Sequence, residues 1–187
     1  MLLGVVSVSL AILPFRTTLI FWLSAAAHEC GHLIVMRGLG MPVRRVSVRA
    51  GGAVLGWETS AVPYSRELAA AAAGPLVNVL LAWRLSSFDA AWLSVNVLLA
   101  VYNLLPLRGN DGAVMLLSAA ELCGYGDGMR LWLLRLSDIV SALLLMLGAW
   151  LFWYGTVWGA GGASIGCGAL FFCMLVRLIG SVGGESG

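Results

Sequence analysis

The chain has 187 residues, of which 60% are hydrophobic and 11% charged, with a formal net charge of +2 and a mean hydropathy of +0.95. A soluble domain carries closer to about 25% charged residues, so this composition describes an integral membrane protein and excludes an ordinary soluble one. The small net charge excludes nucleic acid as a partner, and the four cysteines (Cys30, Cys123, Cys167, Cys173) lack Cys-x-x-Cys spacing and read as reduced fillers of apolar space.

Six apolar segments follow one another, near residues 2–15, 17–36, 68–85, 90–106, 136–154 and 163–180. They predict an all-α polytopic membrane protein with about six transmembrane helices. The first is short for a span and lacks the basic flank of a secretory signal, so it is read as a retained helix. Between the second and third, "RRVSVR" and "AVLGWE" flank Gly51-Gly52. Two glycines between alternating runs signal a tight hairpin, and the expectation is a short cytoplasmic β-hairpin over about residues 44 to 58. Pro63 and Ser65 lead into the third helix. The fourth segment ends at "NLLPLRGNDGAVML", where Pro106, Gly109 and Gly112 rule out an uninterrupted helix. Irregular backbone at membrane depth survives only when buried in protein or lining a wet cavity. A helix is expected to resume from about Ala113 to Leu122. "GYGDGMR" precedes the fifth helix and "YGTVWGAGG" joins it to the sixth. With no internal repeat, residues 1–187 read as a single membrane-embedded domain with its core at 17–123.

With six alternating spans, Arg37, Arg44, Arg45, Arg49, Arg66, Arg108, Arg130, Arg135 and Arg177 fall on one side, and only Arg16 and Arg84 on the other. The positive-inside rule then makes both termini, the hairpin and the C-terminal end of the second helix cytoplasmic.

"HECGH" (residues 28 to 32) sits inside the second apolar segment and holds both histidines of the chain. His28 and His32 are four apart and share one helix face, so their imidazoles can bind one zinc ion. Glu29, beside the first, is placed to act as general base toward an activated water. The plain alternative is a pair of structural histidines packed between helices, although ionisable groups inside a span are functional by default because they are costly there. Cys30 faces roughly the opposite way. Catalytic zinc usually takes three protein ligands, and with no third histidine the remaining one is a carboxylate or a cysteine. Asp111 lies in the broken segment and is the best candidate, against a reading as a turn-forming Asp-Gly. The other acids have simpler homes: Glu58 and Glu67 at the hairpin and helix start, Asp89 in an external loop, and Glu121, Asp127 and Asp138 flanking the fifth span, with Asp138 paired to Arg135 or Arg130.

At this point the chain resembles a family. "HECGH" is similar to the HExGH helix of the site-2 proteases, the intramembrane zinc metalloproteases, and "NLLPLRGNDG" to their Asn-x-x-Pro-x-x-x-x-Asp-Gly motif, with Asn103, Pro106, Asp111 and Gly112 in register. "AGPLVN" (Gly74, Pro75, Asn78) resembles their Gly-Pro-x-x-Asn helix start. The likeness runs from about residue 17 to 123 and is nearest to the compact group without a PDZ domain, which includes the sporulation protease that processes a pro-sigma factor. One departure is Arg108-Gly109-Asn110 ahead of the Asp, where the family usually has Pro-x-Leu; it bears on substrate preference more than on metal binding. The resemblance implies one zinc ion per chain held by His28, His32 and Asp111, with Glu29 catalytic and Asn103 binding substrate backbone. On the residues alone, Asn103 also reads as a cap of the broken helix. Gly74 and Pro75 read as beginning or kinking a helix. Asn78 reads as bonding the Asp111 loop, acting on the site only through it.

The expected function is intramembrane zinc-dependent hydrolysis of a peptide bond in or near the transmembrane segment of a membrane-associated protein, such as a pro-sigma or anti-sigma regulator. The lipid bilayer and a regulatory membrane protein are its other partners. The expected location is a bacterial cytoplasmic membrane, and the arginine split together with the position of His32 near the end of the second helix places the active site near the cytoplasmic face. The hairpin would offer an edge to the unwound substrate strand. Two other classes fit less well. A zinc-binding scaffold or chaperone would not need Glu29, and a metal transporter would place ligands at more than one depth.

Overall fold

The computed structural model describes residues 14–41, 45–49, 52–56 and 62–157. Five helices appear among them: α1 (Phe15–Gly38), α2 (Tyr64–Leu85), α3 (Ala90–Leu104), α4 (Asp111–Leu122) and α5 (Gly126–Val157). Helix α2 is the hub and packs against α1, α3 and α4. Its buried positions are small, with Ala70, Ala71, Ala73 and Gly74 all inside. Small side chains let helix backbones approach closely where no hydrophobic drive between helices operates. Large apolar side chains such as Leu19, Ile34, Leu76, Trp83 and Leu98 are instead on the outside, as a lipid-facing surface requires.

Local chemistry sets the helix ends. The guanidinium of Arg66 donates to the carbonyl of Leu39 at 3.0 Å, placing positive charge where α1 leaves its carbonyls unpaired. The carboxylate of Asp89 caps α3 by accepting from the Ala91 N–H at 3.0 Å and also pairs with Arg16 at 2.9 Å. At the far end of α3, Leu105 is extended (φ −62°, ψ 140°). The proline that follows disfavours helical backbone there and cannot donate. Met36 and Met41 pack with Ala70 to close the end of α1 onto α2.

Two sequence expectations are corrected. Only α1 and α2 are long and apolar enough to cross a membrane among the described residues, not six helices. Helix α3 has 15 residues, about 22 Å at 1.5 Å per residue against a hydrocarbon core of about 30 Å. Segment 136–154 lies within the 32 residues of α5, whose first half carries Arg130, Arg135 and Asp138. Segment 163–180 and nearly all of 2–15 lie outside the described residues. The sidedness drawn from six alternating spans loses its basis with that count. The hairpin does not stand as part of the framework either. The strands Arg45–Arg49 and Gly52–Gly56 pair only with each other, from Arg45 opposite Gly56 to Arg49 opposite Gly52. A lone two-stranded ribbon is marginal in stability, and the core is wholly helical.

Smaller differences have local causes. Helix α4 starts at Asp111, two residues earlier than expected. Asp138 pairs with Arg108 at 3.2 Å, not with an arginine of its own helix, because α5 docks onto the 105–110 loop. Ser137, 3% exposed, accepts the Arg108 backbone N–H at 2.9 Å in the same contact. A buried donor stripped of its acceptor typically costs about 1–3 kcal/mol. Ser137→Ala should therefore lower the melting temperature of the detergent-solubilised protein by several degrees, while the exposed Asp138→Ala should leave it nearly unchanged. Circular dichroism melts of the two variants test this ranking.

Candidate metal centre

Two rows with a four-residue spacing meet at the centre of the fold. On α1 the row is Ser24, His28, His32 and Met36, all buried. On α2 it is Ala70, Gly74 and Asn78, also buried. Rows at this spacing run along one helix face, and these two face each other in antiparallel order: Ser24 and His28 meet Asn78, and His32 meets Ala70.

The contacts decide the state of each imidazole. His32 Nδ1 donates to the carbonyl of Ala70 at 2.7 Å. His28 Nδ1 lies 2.5 Å from Asn78 Oδ1. Asn78 Nδ2 donates to Asn96 Oδ1 at 2.9 Å, so its carbonyl oxygen is the atom turned to His28. In the neutral form both rings thus carry their proton on Nδ1, facing an acceptor, and turn the Nε2 lone pair toward Asp111. The two Nε2 atoms are 3.1 Å apart. Asp111, at the first position of α4, brings Oδ2 to 3.1 Å from His28 Nε2 and Oδ1 to 3.4 Å from His32 Nε2.

Two lone pairs and a carboxylate repel unless a cation lies among them. Zinc at about 2.0–2.2 Å from tetrahedrally arranged N and O donors would hold those donors about 3.3–3.5 Å apart, close to the separations here. Asp111 Oδ2 is buried and has no hydrogen-bond donor, which an ion would satisfy. These three residues form the one cluster able to hold a metal among the described residues. Histidine ligands oriented through Nδ1–H to a fixed acceptor are the usual arrangement at metal sites.

Absent side chains make the space. A Cβ on Gly74 would collide with Nε2 of His32 and lie 2.5 Å from Nε2 of His28. A Cβ on Gly112 would run into the backbone carbonyl of Leu104, so glycine there lets the start of α4 close against the end of α3. Asn110 holds the same closure by donating from Nδ2 to the Tyr102 carbonyl at 2.6 Å. Pro75 lies inside α2, one turn from the Ala70 carbonyl, so "AGPLVN" is helix interior and not a helix start.

The remaining candidates fall around this cluster. Glu29 is half-buried beside it, within electrostatic range of both imidazoles and of Asp111. Asn78 serves His28 and not the Asp111 loop. Asn103 donates from Nδ2 to the Leu99 carbonyl in its own helix at 3.0 Å. Cys30 is exposed. Glu67 is buried and accepts from Ser118 Oγ at 3.3 Å, linking α2 to α4. Ser24 and Asn96 escaped the sequence reading. The signal was there, since Ser24 lies one helical step before His28 and Asn96 is an amide in an apolar segment.

Gly74→Ala should abolish metal binding by filling the space between the two imidazoles, while far-ultraviolet circular dichroism still reports a helical protein. Metal content after purification in zinc, measured by atomic emission, is the check. Near-stoichiometric zinc in this variant would show that the ion does not sit at the Nε2 atoms.

No family model and no curated relative matches the sequence. Among solved structures, the site-2 protease from Methanocaldococcus jannaschii is similar, with a TM-score of 0.55 and 20% sequence identity over 92% of this chain and 83% of that one. The chain therefore has the fold of a site-2 protease.

Proposed function

We propose that the chain is an intramembrane zinc metalloprotease of the site-2 type, acting on a membrane-associated protein. The observation that carries this reading is the convergence of His28 Nε2, His32 Nε2 and an Asp111 carboxylate oxygen, with the acid Glu29 beside them. A pair of structural histidines would not need an unpartnered buried carboxylate oxygen aimed between them. The site-2 protease fold supports the same reading independently, because it comes from the whole backbone and not from these side chains. The motifs point within that family to the compact group similar to the sporulation protease.

His28, His32 and Asp111 would hold the ion. Bound there, zinc supplies a Lewis acid that activates water and polarises a peptide carbonyl. The protein's own part is positioning and proton transfer. The Nδ1 contacts keep both ring planes fixed through the reaction. Glu29 takes the proton of the attacking water on its carboxylate and returns it to the amine leaving group. Its partial exposure leaves it open to water and substrate, whereas the two ligand imidazoles are 5% and 7% exposed. A substrate helix must unwind before cleavage, since its carbonyls are otherwise engaged in helical hydrogen bonds.

Two variants separate chemistry from metal binding. Glu29→Gln keeps size and hydrogen bonding but cannot accept the proton. General base catalysis contributes about 10²- to 10⁴-fold, so cleavage of a co-reconstituted membrane substrate should fall by at least that range while zinc content is unchanged. Cleavage at the wild-type rate would remove Glu29 from the mechanism, and a wild-type chain that binds zinc but cleaves no candidate would favour a scaffold. Asp111→Ala should weaken zinc retention during dialysis against a chelator; retention equal to the wild type would place the third ligand elsewhere.

A further inference from the structure

The contacts behind His28 extend further than one residue. Asn96, on α3, donates from Nδ2 both to Ser24 Oγ at 3.0 Å and to the Trp92 carbonyl at 2.9 Å. Both amide hydrogens of Asn96 have acceptors there, so its Oδ1 is the atom left for Asn78, which donates to it at 2.9 Å. Asn78 also reaches the Ser24 carbonyl from Nδ2, at 3.4 Å. Ser24, Asn78 and Asn96 are each 0% exposed, so water cannot replace any partner.

This chain has a direction. An asparagine amide can present either its carbonyl or its NH₂ group by a half-turn. Facing a neutral His28, the carbonyl selects the Nδ1–H tautomer, with its lone pair on Nε2; the NH₂ group would accept nothing and would instead favour Nε2–H, which cannot ligate a metal. Asn78 taken with His28 alone does not choose between these. Asn96 makes the choice at 2.9 Å, because its own NH₂ is committed to Ser24 and Trp92, and the Ser24 carbonyl adds a longer contact of 3.4 Å in the same sense. We infer that Asn96, anchored by Ser24, is a positioning residue that sets the orientation of the Asn78 amide and through it the tautomer of His28. The inference concerns which ring nitrogen carries the proton; its bearing on zinc rests on the metalloprotease reading.

His32 provides an internal control. Its Nδ1 faces a backbone carbonyl, Ala70, which cannot reverse. With only two histidines in the chain, the imidazole ¹⁵N spectrum of histidine-labelled, metal-free protein contains one resonance pair for each. In the wild type both rings should be Nδ1–H. In Asn96→Leu, which removes the 2.9 Å acceptor and leaves the Asn78 NH₂ group only its longer, 3.4 Å contact with the Ser24 carbonyl, His28 should shift toward the Nε2–H form while His32 stays in place. Zinc affinity, measured by competition with a chromogenic chelator, should weaken by about 10- to 100-fold, the usual scale for groups that orient metal ligands. Ser24→Ala, a smaller change, should move both readings in the same direction by less. A His28 signal that stays Nδ1–H with unchanged zinc affinity in Asn96→Leu overturns the inference. If Asn96→Leu loses both histidine signatures by unfolding, Ser24→Ala decides on the same two readings. If the wild type takes up no zinc, the metalloprotease reading fails, yet the tautomer measurement still tests the role of Asn96.

Discussion

Two imidazoles, each with its Nδ1 proton committed to a buried acceptor, face one carboxylate across a gap that holds no side chain. Most of the described structure serves that arrangement. Helix α2 lies at the centre because it must offer three different things to α1 at successive four-residue steps: a carbonyl at Ala70, empty space at Gly74 and an amide at Asn78. A helix delivers such a row on one face without irregular backbone. The small residues around the row then allow the approach that brings these groups within hydrogen-bond distance. A bulkier α2 would bury more apolar surface and lose the site.

The third donor arrives by another route. Asp111 cannot come from α1 or α2, whose facing rows are filled, and the chain reaches the site by breaking a helix. Pro106 ends the α3 ladder, Leu107 is driven into the interior at 1% exposure, and Asn110 and Gly112 fold the start of α4 back against the end of α3. The cost is irregular backbone, which survives where protein covers it. Helix α5 supplies cover through Ser137 and through the Arg108–Asp138 pair. The fold and the site are thus joined at this turn, and the polar groups that stabilise it also orient the acid.

The placement of charge follows from burial. Deep inside, most polar groups are amides, hydroxyls and imidazoles with hydrogen-bond partners. Arg16 with Asp89 and Arg108 with Asp138 lie nearer the outside, where their ion pairs contribute little to stability. The Asp111 carboxylate at the candidate metal centre is one exception; Glu67 is another, buried at the start of α2 and bonded to Ser118. Its place in the first helical turn lets the unpaired N–H groups there offset part of the cost of burial.

The sequence by itself named the residues of the candidate metal centre. Histidines four apart inside an apolar helix, a neighbouring acid and an Asp-Gly after a proline break are local patterns, and local spacing is enough to put two imidazoles on one face. It also located the break after α3. Among the described residues it overcounted the spans, because hydropathy reads apolar content and not the length of the helix that forms. Segment 90–106 is apolar but ends too soon, and segment 136–154 lies within a longer helix with charges in its first half. Only the tertiary structure decided that Asp111 closes on His28 and His32, that Asn78 serves an imidazole, and that Ser24 and Asn96 stand behind it. Those contacts join residues 18 to 83 positions apart. No periodicity encodes which amide turns toward which ring, because that choice rests on hydrogen-bond partners brought together from three helices.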